Sequence, residues 1–137
     1  MLGPMNSAIE WHDSELLEIN VPSTREGELI LDAYVHRRAQ ESSEAAGEGG
    51  YQQIKITLSS MQSVHPAPEL PLLIQDGVIV LGGEEHRGLL PLPMSFDGTV
   101  TLNLLPRDDA AVLLFTGTGI KVEAKGDFRF VERLDFG

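Results

Sequence analysis

Residues 12 to 14 read His-Asp-Ser, the three side-chain types of a serine-hydrolase triad set in a row. A triad needs the imidazole held between hydroxyl and carboxylate, within hydrogen-bond reach of both. Adjacent residues supply that poorly. In a strand His12 and Ser14 share a face while Asp13 points away, and in a helix the three fan out at about 100° intervals. Ser14 also lacks the Gly-x-Ser-x-Gly elbow that exposes a nucleophile. The stretch EWHDSELLEI therefore reads as structural. Asp13 and Ser14 are expected to accept hydrogen bonds from backbone N–H groups just downstream, the turns that lead a chain into a new strand. Trp11 is expected to anchor that point in the core, and His12 to donate to a carbonyl or stack on a neighbour.

Other side chains with chemical potential are scattered. His12, His36, His65 and His86 form no His-x-His or His-Glu-x-x-His pattern, so a metal site would have to be assembled from distant strands. The set that would do so is His12, Asp32 and His36; no metal or other cofactor is expected. Glu84, Glu85 and His86 in GGEEHRG are read as solvated loop charge. Arg107-Asp108-Asp109 is read as a turn, since two aspartates are a small part of the six to eight oxygens calcium takes. GTGIK at 117–121 lacks the phosphate-loop spacing and is read as a hairpin turn. Tyr34 and Tyr51 flank a polar segment with Arg37 and Arg38 between them, residue types that pack at a rim or anchor an interface. Trp11, His12, Asp13, Asp32, Tyr34, His36 and Arg37 are thus the binding candidates, and no catalytic residue is assigned.

The elements that must position these residues are β-strands. The 137 residues are 42% hydrophobic, enough for one core without staples, and the absence of cysteine excludes disulfides and thiolate chemistry. Fourteen glycines and eight prolines interrupt any window long enough for an amphipathic helix. One short helical turn is expected at the start, where Ser7 and Glu10 have capping-box spacing. ELLEINV places Leu17, Ile19 and Val21 on one face; Leu29, Leu31, Ala33 and Val35 alternate with Ile30, Asp32, Tyr34 and His36; Ile54, Ile56 and Leu58 share a face. Pro22 to Gly27 is expected to be a hairpin connection. Asp97-Gly98 and Asp76-Gly77 predict hairpin turns, because both central positions of a type I′ turn need positive φ. Val100, Leu102 and Leu104, then AAVLLF, GIKVEAK and FRFVERL, predict a meander in the C-terminal half. Residues 38–50 are expected to be a mobile acidic loop, and HPAPELP (65–71) a proline-stiffened connection. The expectation is a single all-β domain over residues 1–137, with about eight to ten antiparallel strands in a β-sandwich, the alternative being a closed β-barrel.

The net charge of −11 and the lack of a basic stripe argue against nucleic-acid binding. No apolar run approaches the ~18 residues of a spanning helix. No cationic region precedes an apolar stretch at the N-terminus, so the cytoplasm is the expected compartment. Residues 1–50 hold ten acids against three bases, so a basic partner would be steered toward that part, unless the charge serves solubility alone.

WHDSELLEI followed by LILDAYVHR resembles the opening of small bacterial β-rich proteins that begin Trp/Phe-His-Asp-Ser/Ala-x-Leu-x-x-Ile and run into a strand pair, some of them grouped with bacterial immunity proteins. The resemblance covers about the first quarter of the chain and implies a β fold and bacterial origin; it transfers no catalytic residue. The leading expectation is a non-enzymatic binding protein of immunity type that docks a basic protein through acidic surface in the N-terminal half. Two alternatives stand beside it: a metal-dependent enzyme or small-ligand binder, and a structural β-domain that forms homo-oligomers through sheet edges.

Overall fold

In the computed structural model, which describes residues 7–38, 46–63, 68–107 and 111–135, every regular element is a β-strand. Ten strands follow one another: β1 (Ser7–Ser23), β2 (Glu26–Arg38), β3 (Ala46–Ser59), β4 (Gln62–Ser63), β5 (Leu72–Leu81), β6 (Glu84–Arg87), β7 (Leu90–Pro91), β8 (Met94–Pro106), β9 (Leu113–Ala124) and β10 (Arg129–Asp135). All pairings are antiparallel. β1, β2 and β3 form one meander and β5, β8 and β9 a second; β3 pairs with β9 and β1 with β5, which closes the six strands into a ring. β4, β6, β7 and β10 lie outside it, on β9, β5, β1 and β3.

The closed barrel, rather than the sandwich, is therefore the architecture. The reason is strand length: β1, β3 and β8 run 17, 14 and 13 residues, and bulges bend such strands so that one sheet coils around a single core. That core is continuous. Leu29, Leu31, Ala33 and Val35 from β2 meet Ile54, Ile56 and Leu58 from β3, Ile74 and Ile79 from β5, Leu102 and Leu104 from β8, and Phe115 and Val122 from β9. Burying each large aliphatic side chain is worth about 1.5–3 kcal/mol. The alternation read in β2 and β3 holds residue by residue.

The turn signals behave differently. Asp97-Gly98 and Asp76-Gly77 are not hairpin turns but lie inside β8 and β5, each at a break in register. Gly98 takes φ +137°, the freedom a bulge requires. A Cβ on Gly77 would stand 2.7 Å from the Trp11 ring, so the glycine lets the indole lie against the strand. Gly117-Thr118-Gly119 likewise falls inside β9: a Cβ on Gly117 would come within 2.8 Å of the Ser59 carbonyl oxygen, so the glycine serves close strand approach rather than a turn. Among the described residues the tight hairpins are Thr24-Arg25, in the expected Pro22–Gly27 connection, and Gly82-Gly83, whose φ values of +56° and +88° suit a type I′ turn.

Two N-terminal expectations also change. Ser7 to Glu10 form no helical turn; they pair with Arg37 to Tyr34 in the β1–β2 ladder. The segment expected to loop over 38–50 is shorter, because Arg38 pairs with Gly47 and β3 begins at Ala46; residues 39–45 lie outside the described residues, as do His65, Asp108 and Asp109.

The first half of β3 leaves the ring. Its residues 54–59 pair with β9, whereas 46–51 pair with β10, after a break where the Lys125 and Gly126 N–H groups donate to the Gln53 carbonyl. One end of the barrel thus extends into a sheet ordered β7, β1, β2, β3, β10. No helix among the described residues is long and apolar enough to cross a membrane.

Candidate functional site

The His-Asp-Ser stretch sits within β1, not at its start. Glu10 pairs with Tyr34 and Glu15 with Asp32, so β1 spends five residues where β2 spends two. This wide bulge is organised by Ser14. Its hydroxyl is fully buried, donates to the Glu10 carbonyl at 2.7 Å, and accepts the Tyr34 backbone N–H at 3.0 Å. Ser14 therefore supplies the acceptor that the interrupted ladder cannot, and the partner it serves lies across the strand rather than just downstream. Asp13 occupies the left-handed region at φ +69°, which aspartate tolerates better than most residues. Trp11 turns into the core at 2% exposure, and His12 and Asp13 are left outside.

Around the bulge the outward residues of the sheet line up in rows. Glu10, Tyr34, Tyr51 and Arg129 are successive cross-strand partners, followed by Glu15, Asp32 and Gln53, and then by Glu18, Ile30, Lys55 and Glu123. Directly opposed residues share a face, so these side chains form one polar surface. Tyr34 is its buried centre, packed edge-to-face with Tyr51 at 5.3 Å and with His36 at 5.4 Å. Its hydroxyl donates to Glu132 on β10. Burial first, and then the Glu132 carboxylate, push the Tyr34 phenol well above its ordinary value. Tyr51 is raised too, by burial and then by Asp13 and Asp32, with Arg107 and Arg129 opposing.

The cations on this surface already have carboxylate partners. Arg107, just past β8, donates to Asp13 at 2.6 Å; Arg129 donates to Asp32; Lys55 lies between Glu28 at 4.0 Å and Glu123 at 3.4 Å. His12 Nδ1 is 3.1 Å from Asp13 Oδ2, and His36 Nε2 is 3.6 Å from Glu10 Oε1.

Five of the seven binding candidates, His12, Asp13, Asp32, Tyr34 and His36, come together on this face. Trp11 does not, being core. Arg37 points to the opposite side of β2, where its guanidinium lies 3.9 Å from the centre of the Phe128 ring and bonds Glu48. The metal set His12, Asp32 and His36 is not assembled either: Asp32 is engaged by Arg129, and among the described residues the group whose ligand atoms all lie within 4.8 Å is Glu10, His12 and Asp13. As for a triad, Ser14 Oγ is committed to backbone on both sides. Glu10, Tyr51, Arg107, Arg129 and Glu132 complete the face. Arg107, Arg129 and Glu132 meet partners 94, 97 and 98 residues away, separations at which no local pattern signals a contact.

No family model, curated protein or solved structure matches the chain.

Proposed function

We propose that the chain is a non-enzymatic, immunity-type binding protein of the bacterial cytoplasm that docks a basic protein on the outer face of β1, β2 and β3. The observation that carries this reading is the composition of that face. Glu10, Asp13, Glu15 and Asp32 lie around an edge-to-face tyrosine pair, Glu18 and Glu28 continue the acidic rows along β1 and β2, and the cations Lys55, Arg107 and Arg129 are already engaged. Tyrosine anchors ringed by charge are the composition of protein interfaces rather than of nucleic-acid sites. The chain's charge of −11 steers a cationic partner inward and repels another acidic surface. The resemblance of WHDSELLEI to immunity-protein openings supports the same class, and the stretch lies in this face. The committed Ser14 hydroxyl favours binding over hydrolysis.

The test is retention of partners on immobilised protein from bacterial lysate at low and at high salt. A basic protein held in near-equal amount, released by salt and rebound after separate purification, is the expected result. Retention of acidic proteins only, or of none, would overturn the reading.

A further inference from the structure

We infer that Glu10, His12 and Asp13 form a binding site for a borderline divalent transition-metal ion of the zinc class, with His36 set against Glu10 at its edge. The bulge creates the juxtaposition. In a regular strand residues 10 and 12 would be two positions apart on one face and residue 13 on the other; here the five-residue step and the left-handed Asp13 gather all three, so that their ligand atoms lie within 4.8 Å of one another. Two donor atoms bound at 2.0–2.2 Å to one tetrahedral zinc are about 3.3–3.6 Å apart. His12 Nδ1 to Asp13 Oδ2 is 3.1 Å, and His36 Nε2 to Glu10 Oε1 is 3.6 Å. The first spacing is close to what a shared ion requires; the second sets His36 against Glu10, outside the three-ligand group.

The donor chemistry selects the metal. Imidazole nitrogens with carboxylate oxygens suit zinc and its neighbours, whereas calcium takes six to eight oxygens and magnesium keeps a shell of water. Outer partners are in place as well. Asp13 Oδ1 accepts from Arg107 at 2.6 Å, which leaves Oδ2 turned to His12 and orients the carboxylate as hydrogen-bonded outer groups do in metal centres. The Tyr34 ring packs against His36 and limits its freedom. The pair of His86 with Glu84 at 3.8 Å, by contrast, has no third ligand within range among the described residues.

The site stands whether or not a protein docks on this face, because it is read on the chain alone. The experiment is titration of chelator-treated, dialysed protein with Zn(II) by calorimetry, and with Co(II) by visible absorption. The expected result is one ion per chain, with the intense absorption of a low-coordinate cobalt centre. Binding should weaken at least about tenfold in His12→Ala and in Glu10→Gln and remain unchanged in His86→Ala. His12 is exposed, so His12→Ala should keep the metal-free melting temperature, and a loss of binding then reports the ligand. Absence of stoichiometric binding would overturn the inference. So would binding that survives both bulge substitutions or is lost in His86→Ala.

Discussion

Ser14 and Tyr34 show how single polar atoms hold this sheet together. Replacing Ser14 by alanine would remove the fully buried acceptor of the Tyr34 N–H. Leaving that donor unpaired costs about 1–3 kcal/mol, so urea unfolding of Ser14→Ala should show a loss of that size with an unchanged m-value. An effect near zero would mean that the bulge is held by something else. Tyr34 gives a prediction in pH. Its phenol is raised in the folded chain by burial and by Glu132, so above about pH 10 the unfolded chain releases a proton that the folded chain keeps. The stability linked to this group is fully present below that pH and declines as pH rises past it. Tyr34→Phe has no proton to release and should flatten the alkaline fall in melting temperature, whereas a fall as steep as the parent's would remove Tyr34 from the account.

Among the elements, most strands and the Pro22–Gly27 corner were legible, but the expected C-terminal meander is not what forms: Leu113 to Ala124 is one strand, β9, and β10 pairs with β3. Alternation over Leu29 to Val35 and Ile54 to Leu58 identified strands and inward faces, because period-2 patterning is set by burial alone. Asp-Gly was misleading: it marks backbone that needs glycine, and a bulge in a long strand needs it as much as a hairpin does. What decides between the two is whether the flanking segments pair with each other or with other strands, a non-local matter. Asp97-Gly98 faces β9 and Asp76-Gly77 faces β8. The site was legible in the same measure. His12 and Asp13 were marked by residue type, and Asp32, Tyr34 and His36 by their shared phase on one strand, while Arg107, Arg129 and Glu132 arrive through the closing of the barrel. Arg37 is next to His36 in sequence but out of phase with it on β2, so its side chain leaves the face for Glu48 and Phe128. The Gly82-Gly83 turn belongs to this scale too. Alanine at both positions forces two L-residues into the left-handed region at about 1–2 kcal/mol each. Thermal unfolding should drop accordingly, whereas Gly126→Ala, which meets Gln53 at an ordinary 3.5 Å, should change little.

For the molecule as a whole, charge distribution is the feature that links barrel to function. A chain of −11 attracts cations everywhere at low salt, and screening within a Debye length of about 8 Å at physiological ionic strength confines that attraction to surfaces in near contact. The proposed docking on the outer face of β1 and β2 would therefore depend on where the acids stand, not on how many there are. The direct measurement is affinity of the purified basic partner for three chains of controlled charge across a salt series: the parent, Glu15→Lys with Glu18→Lys, and Glu84→Lys with Glu85→Lys. Both variants change the net charge equally. The β1 variant should lose at least about tenfold in affinity and much of its salt dependence, while the variant in β6 should stay close to the parent. Equal losses in the two variants would show that net charge alone governs binding, and would contradict a docking face on β1, β2 and β3.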